Sequence, residues 1–165
     1  MLSGVPATGK STFGRWLESD RGFAHVDVEN GGFDRLGLSF TWSAVCRLPP
    51  PQVSPFIAAL RGLRRPVALD WGFPPPWLPL VRALHDAGVT AWWFDGDRQA
   101  ARAVFIRRAT VQVEALDRQM GHIEAHQALF DDFYAGRVVQ AIRPDGSFTP
   151  PDRIFATIFA DRSLP

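Results

Sequence analysis

Short apolar runs alternate with longer amphipathic segments along this chain. The runs are short enough for strands and lie at 23–29 (FAHVDVE), 66–73 (PVALDWGF), 89–95 (VTAWWFD) and 138–142 (VVQAI). Helical spacing of apolar residues predicts helices at about 11–19, 52–63, 77–87, 97–120, 122–135 and 151–160. Strands that alternate with helices predict an α/β domain with a parallel sheet covered on both faces.

The length and composition predict one domain, 1–165. A chain of 165 residues with 46% hydrophobic and 21% charged residues can bury a substantial core. Two short proline clusters, LPPPQ at 48–52 and FPPPW at 73–77, are typical of connectors within a domain. The net charge of +1 argues against a nucleic-acid track or an anionic membrane surface as partner.

The sequence also bears on location. No signal-peptide pattern opens it, and no apolar run approaches the roughly 20 residues that cross a bilayer. The single cysteine, Cys46, is compatible with a reducing compartment. We therefore expect a cytoplasmic protein, and no pattern indicates an oligomeric state.

The most specific motif lies near the start of the chain. Residues 4–11, GVPATGKS, match G-x-x-x-x-G-K-[ST] at every fixed position. In such a P-loop, backbone N–H groups surround the phosphates of a nucleotide, and glycines stand where a Cβ would collide. We expect Lys10 to bridge the β- and γ-phosphates and the Ser11 hydroxyl to ligate Mg²⁺. The candidate nucleotide-binding residues are Gly4, Pro6, Ala7, Thr8, Gly9, Lys10, Ser11 and Thr12.

The basic residues support the P-loop interpretation. Of the 18 basic residues, Lys10 is the only lysine and the others are arginines. A compact ammonium group suits a phosphate, and a chance placement in the loop has odds of about one in 18. The alternative is a glycine-rich turn that merely joins a strand to a helix. Because only Met-Leu-Ser precedes Gly4, we expect either an unusually short first strand or a true start further upstream.

Acidic residues end several predicted strands. Asp70 follows Val67, Ala68 and Leu69 and is our candidate for the second magnesium ligand, with a turn or helix cap as the alternative. Asp95 and Asp97 are weaker rivals, because Asp97 is better placed as the N-cap of the following helix.

A second acidic segment, HVDVENGG at 25–32, places His25, Asp27 and Glu29 on one face of a strand. A carboxylate there could take the proton of an acceptor hydroxyl during attack on a γ-phosphate. Gly31 and Gly32 would then let the chain approach a ligand closely. The alternative is the solvated face of an edge strand.

Together, the P-loop, the strand-end acids and the arginine-bearing segment after the fourth strand resemble the adenylate-kinase-like P-loop phosphotransferases. The chain is most similar to the small AAA-domain kinases related to zeta toxin, chloramphenicol phosphotransferase and the kinase domain of polynucleotide kinase. The resemblance implies the sheet order 2-3-1-4-5, an acceptor-side acid at Asp27 or Glu29, and a helical lid at about 98–135. It also implies phosphate-gripping lid arginines, for which Arg102 and Arg107 are the candidates. Relatives tend to carry an arginine soon after the acids, whereas here the first is Arg35.

The expected activity is an ATP- and Mg²⁺-dependent transfer of phosphate to a hydroxyl of a small molecule. Two alternatives remain open at this point: a kinase of nucleic-acid ends or nucleotide sugars, and a nucleotide-binding switch without transfer activity.

Overall fold

A parallel sheet organises the molecule. The computed structural model describes residues 1–47, 51–73, 75–107 and 113–160. Its strands are β1 Leu2–Gly4, β2 Ala24–Asp27, β3 Val67–Asp70, β4 Trp92–Gly96 and β5 Val138–Ile142. All pairings are parallel, and the order across the sheet is β2-β3-β1-β4-β5. The predicted α/β class and the order 2-3-1-4-5 are therefore confirmed.

Helices cover both faces of this sheet. They are α1 Lys10–Arg21, α2 Ser39–Arg47, α3 Ser54–Gly62, α4 Leu78–Asp86, α5 Arg98–Arg107, α6 Val113–Ala125, α7 Gln127–Phe133 and α8 Pro151–Phe159. On one face α1 and α8 pack a core that includes Phe13 and Ile154. The larger core on the other face includes Phe56, Leu84 and Phe130. No helix in the described ranges has the length and apolarity to cross a membrane.

The central strand β1 has only three residues, Leu2–Gly4, in line with the expectation of an unusually short first strand. Leu2 pairs with Asp70 of β3, while Leu2, Ser3 and Gly4 pair in succession with residues of β4. Backbone hydrogen bonds continue on both sides, since Trp71 N–H donates to the Leu2 carbonyl and Trp92 N–H to that of Met1. β1 thus lies between two longer strands and aims the chain at their carboxyl edge.

The helix predictions hold in type but not in every boundary. The sequence pattern missed α2, in which Val45 is the only fully buried residue. The single helix predicted at 97–120 is wrong at its end, because α6 runs past Met120 to Ala125. Leu116, Met120 and Ile123 keep one face of α6 buried across this point. The break predicted before His122 instead falls at His126, and residues 108–112 lie outside the described part.

Candidate phosphate and metal site

Residues 4–11 form a loop that leads from β1 into α1. Gly4 has a φ of 136°, and a Cβ at this position would lie 2.1 Å from the Phe94 carbonyl oxygen, so only glycine fits. The next residue, Val5, donates its N–H to the same carbonyl at 2.9 Å. The buried Thr8 hydroxyl donates to the Val5 carbonyl at 2.8 Å. The loop is therefore held against β4 by its own backbone and by Thr8.

The loop ends at the first turn of α1. Gly9 takes a left-handed φ of 88°, and no side chain caps the helix. The first N–H groups of an uncapped helix carry partial positive charge and suit an anion. Lys10 curls back over the loop, where its Nζ donates to the carbonyls of Gly4 at 3.1 Å and Val5 at 2.8 Å. Ser11 and Lys10 both line the cavity described below.

Asp70 ends β3, the strand beside β1, and only 4% of its surface is exposed. Its Oδ2 lies 3.4 Å from His25 Nε2, but the two atoms do not form a hydrogen bond. Among the described residues this oxygen has no hydrogen-bond partner at all. A buried carboxylate oxygen without a donor is costly unless a ligand completes it.

β2 is an edge strand of the sheet, but His25 on it is buried, so the alternative of a solvated face is wrong for this residue. Only 4% of it is exposed, because its ring packs into the space left by Gly14 of α1. A Cβ on Gly14 would lie 2.3 Å from the ring. His25 thus separates α1 from the Asp70 carboxylate.

Asp27 holds the turn that follows β2. Its Oδ1 accepts hydrogen bonds from the N–H groups of Glu29 at 3.1 Å and Asn30 at 3.0 Å, and its Oδ2 accepts from the Asn30 side chain at 2.9 Å. The strand predicted to reach Glu29 therefore ends at Asp27. Gly32 packs closely against the same turn: its N–H donates to the Asp27 carbonyl at 2.8 Å, and a Cβ on it would lie 2.5 Å from the Asp27 backbone.

Glu29 extends from this turn with a carboxylate that accepts no hydrogen bond within the described ranges. The residue as a whole is exposed, yet its carboxyl group faces the cavity. Partial loss of solvent around that group raises the pKa of Glu29. The Lys10 ammonium opposes this shift, whereas the negative charges of Asp27 and Asp70 add to it.

These groups share one cavity of about 260 Å³ at the carboxyl edge of β1, β2 and β3. Sequence reasoning identified its loop and acidic residues but missed several others. The additional lining residues are Asn30, Gly72, Phe105, Ala115, Leu116 and Gln119. Gln119 reaches the site from α6 and donates to the Gly72 carbonyl at 3.2 Å. Gly72 could have been predicted as a lining residue, because it lies two residues after Asp70 at the carboxyl end of β3. Nothing in the local pattern of α6 indicates that Gln119 lines the cavity.

The candidate lid arginines lie apart from this cavity. Arg102 of α5 makes a bidentate pair with Asp117 of α6, with contacts of 2.8 and 2.9 Å. That hydrogen bond raises the pKa of Arg102 and lowers the pKa of Asp117. Arg107 is exposed at the end of α5. The two helices that carry them also supply Phe105, Ala115, Leu116 and Gln119 to the cavity wall.

Three aromatic residues beyond Asp70, namely Trp71, Phe73 and Trp77, are not among the described residues that line the cavity. Trp71 and Phe73 are buried, and Trp71 contacts Trp42, Phe73 and Trp77 through ring packing. The rings belong to the larger core instead. The loop after β5 does approach the site: Phe148 is 41% exposed, and its ring lies 3.1 Å from where a Cβ on Gly9 would be.

The donor set fits a magnesium ion. Mg²⁺ prefers oxygen ligands and commonly takes one or two from the protein, with phosphate oxygens and water completing its shell. The unpartnered Asp70 Oδ2 and the Ser11 hydroxyl at the cavity are such oxygens. The imidazole of His25 is not among the described groups that line the cavity.

Comparison with known proteins agrees with this architecture. No protein-family model matches the chain, and no curated protein matches it in sequence. Among solved structures, a gluconokinase from Sinorhizobium meliloti 1021 is similar, with a TM-score of 0.52 and 17% sequence identity. The match covers 96% of this chain and 87% of the gluconokinase chain. The chain shares the fold of this gluconokinase. At this level of identity the likeness concerns the architecture alone.

Proposed function

We propose that this protein is a phosphotransferase that moves the γ-phosphate of ATP to a hydroxyl of a small molecule in a magnesium-dependent reaction. The observation that carries this proposal is the shared cavity. It joins a P-loop and its lysine to a buried carboxylate with an unpartnered oxygen and to a second carboxylate of raised pKa. The gluconokinase likeness adds support at the level of fold.

The nucleotide would be held by the loop and by Lys10. The N–H groups of residues 7–11, at the end of the loop and the start of α1, would bind the phosphates, and Lys10 would exchange its contacts with the Gly4 and Val5 carbonyls for phosphate oxygens. The exposed ring of Phe148 beside Gly9 offers an apolar face to the base.

Ser11 and Asp70 would hold the magnesium ion. The ion supplies positive charge to the oxygens of the β- and γ-phosphates. Asp70 suits this position because it is buried and ends the strand next to β1. With Asp70 assigned to the magnesium ion, Glu29 and Asp27 remain as candidates for the general base on the acceptor side.

Glu29 is the better candidate for the general base. The Asp27 carboxylate is occupied by the turn that it caps, whereas Glu29 has unused acceptor capacity at the cavity. In the proposed step Glu29 takes the proton of the acceptor hydroxyl as the hydroxyl oxygen bonds to the γ-phosphorus and the bond to ADP breaks. Arg102 and Arg107 would neutralise developing charge, for which Arg102 must leave Asp117.

The test is a metabolite-library screen with γ-labelled ATP and magnesium, comparing the parent chain with Lys10→Ala. We expect labelled product with the parent only. If the parent binds ATP but transfers label only to water, a nucleotide-binding switch replaces the kinase proposal. If calorimetry detects no binding of magnesium with ATP or GTP to folded protein, the P-loop interpretation itself is lost.

A further inference from the structure

A second cavity, of about 330 Å³, lies at the amino edge of the sheet. Leu2 and Val67, which begin β1 and β3, line this amino-edge cavity, whereas Gly4 and Asp70, which end the same strands, line the phosphate site. The two linings share no described residue. The amino-edge cavity is therefore a separate site at the other end of the central strands.

The pairing of β3 explains why this space is open. β3 pairs with β2 at four positions, from Val67 to Asp70, but its described pairing with β1 is confined to Asp70 and Leu2. The edge of residues 67–69 that faces β1 therefore borders the cavity in the described structure. Helices on both faces of the sheet complete the wall, because α1, α3 and α8 all contribute lining residues.

The interior of the amino-edge cavity is apolar. Its wall includes Phe13 and Leu17 of α1, Ile57 and Leu60 of α3, and Trp92 of β4. A carbon skeleton that displaces water from such a surface is stabilised in proportion to the apolar area that it buries. The volume of about 330 Å³ lies at the lower end of the roughly 300–1,000 Å³ that is typical of small-molecule sites. The cavity therefore suits a small ligand with an apolar body.

Two arginines add positive charge to this lining. Arg61 lies in the last turn of α3, Arg65 precedes β3, and both residues are exposed. A guanidinium group binds a carboxylate through two parallel hydrogen bonds, which makes arginine the usual partner of this group in proteins. Thr90, a polar residue of the same lining, already accepts a hydrogen bond at its carbonyl from the Met1 amino group at 2.6 Å. The arginines are therefore the groups that would select the charge of a ligand.

We propose that the amino-edge cavity binds a small amphipathic carboxylic acid. The carboxylate pairs with Arg61 and Arg65, and an aliphatic or aromatic body lies among the apolar residues from α1, α3 and β4. The proposed phosphate transfer is not required for this binding, because no residue of the phosphate site takes part. Failure of either proposal therefore leaves the other standing.

The first experiment measures the affinity of the full chain for octanoate, octanamide and acetate by calorimetry. Octanamide keeps the apolar body without the charge, and acetate keeps the charge without the body. We expect octanoate to bind at least about tenfold more tightly than either, and each CH₂ added between butanoate and octanoate to improve affinity by up to about fourfold. Equal affinity for octanoate and octanamide, or no binding of octanoate, overturns the proposal.

The second experiment tests the arginines one at a time. Arg61→Gln and Arg65→Gln should each weaken octanoate binding several-fold and leave octanamide binding unchanged. Arg64→Gln removes the same charge from the same segment, but Arg64 is not among the described lining residues, so this control should bind octanoate like the parent. Equal losses in all three variants would indicate a general attraction of anions, which contradicts the proposal.

The third experiment narrows the cavity. Ala87 lines it with an ordinary φ of −84°, so Ala87→Leu places additional apolar atoms there without backbone strain. We expect a loss of octanoate affinity of about tenfold, whereas Ala125→Leu on the exposed side of α6 should have no effect. Thermal unfolding verifies that both variants fold. Unchanged affinity in Ala87→Leu would place the acid elsewhere and overturn the proposal.

The free edge of β3 suggests a competing ligand for the same cavity, an extended peptide that adds a strand. A capped tripeptide of valine and leucine is the probe for it, measured by the same calorimetry. We expect the tripeptide to bind at least about tenfold more weakly than octanoate. Tighter binding of the tripeptide, lost in Ala87→Leu, would identify a strand-binding slot and overturn the assignment of a carboxylic acid.

Discussion

The two strands that flank β1 both carry an aspartate near the carboxyl end, but the two carboxylates have opposite surroundings. Asp95 on β4 is fully engaged: it accepts hydrogen bonds from the Gly96 N–H at 2.9 Å, from Arg98 at 3.3 Å and from the Trp93 ring at 3.4 Å. Asp70 on β3 is buried and keeps an oxygen without a hydrogen-bond partner in the described structure. The two residues differ in register as well, because Leu2 of β1 pairs with Asp70 on one side and with Trp92, three residues before Asp95, on the other.

This contrast shows what distinguishes a ligand from a structural carboxylate. Asp95 is satisfied by neighbours on its own strand and on the following helix, so it fastens α5 to the sheet. Asp97 beside it caps α5 by accepting the Ala100 N–H at 2.8 Å, as predicted. Asp70 bears the cost of burial without such partners, and a bound cation would offset that cost. We therefore place the proposed magnesium ligand on the β3 side of β1 and assign the carboxylates on the β4 side a structural role.

The sharpest test of the contrast exchanges each carboxylate for its amide. Asp70→Asn removes the proposed anionic ligand, and we expect kcat/KM to fall by about a thousandfold with a higher magnesium requirement. The kcat/KM of Asp95→Asn should stay within a few-fold of the value for the parent chain. Magnesium titrations of phosphate transfer measure both. Equal losses in the two variants would abolish the distinction between the two sides.

The two acids of the β2 turn allow a second comparison. Glu29→Gln should lower kcat by about a hundredfold or more while nucleotide affinity stays unchanged, because the base is lost. Asp27→Asn retains an oxygen that can accept the N–H groups of Glu29 and Asn30, so transfer should largely persist. Single-turnover kinetics and calorimetry with ATP separate the two effects. A larger loss from Asp27→Asn would identify that residue as the base.

The pH profile should report Glu29. A base acts when deprotonated, so kcat/KM is expected to fall about tenfold per pH unit below its pKa. That pKa is raised above the ordinary value of 4.5, chiefly by loss of solvent, so the acid limb should lie at higher pH than for an exposed glutamate. Asp95→Asn should leave this limb in place. An acid limb that persists unchanged in Glu29→Gln would belong to another group.

The cavity itself can be narrowed on the β3 side. A Cβ on Gly72 would lie 3.6 Å from Glu29 Oε1, an ordinary contact, so Gly72→Ala should fold normally. We expect a several-fold rise in the KM of the acceptor because the methyl group occupies the space between Glu29 and Gln119. Gly121→Ala in α6, where no atom lies within 4 Å of the added Cβ, is the control. An unchanged acceptor KM would place the acceptor elsewhere.

The smallest effect is expected on the β4 side. Asp97→Ala removes the N-cap of α5 and should lower the free energy of unfolding by about 1 kcal/mol. Nucleotide affinity should not change, because Asp97 lies outside the described lining of the cavity. Urea unfolding and ATP calorimetry check the two statements. Loss of ATP binding without loss of stability would assign Asp97 to the site.

Local patterns were enough to predict the α/β class and the Asp97 N-cap, whereas the strand order followed from the resemblance to adenylate-kinase-like phosphotransferases. Alternating strands and helices, together with right-handed crossovers, leave few topologies, and the loop carries its own geometry in Gly4 and Gly9. The role of Asp27 was less accessible. Whether a carboxylate caps its own turn or faces a ligand depends on hydrogen bonds to Glu29 and Asn30 that a two-residue alternation does not encode.

Contacts between segments that are distant in the sequence could not be predicted from local patterns. Gln119 meets Gly72 across 47 positions, and Arg102 meets Asp117 across 15, so neither pairing follows from spacing on one helix. α2 also lay outside the helices that the apolar spacing predicted, and Val45 is its only fully buried residue. Residue-level site predictions for the lid therefore need the tertiary structure.

The tight approach of Gly14 to the His25 ring means that the residues at these two positions constrain each other. A side chain at position 14 requires a smaller residue at position 25, and an imidazole at 25 requires glycine at 14. Homologous chains should consequently exchange these two residues jointly, so that pairwise covariation across the family would record a contact between the first helix and the second strand.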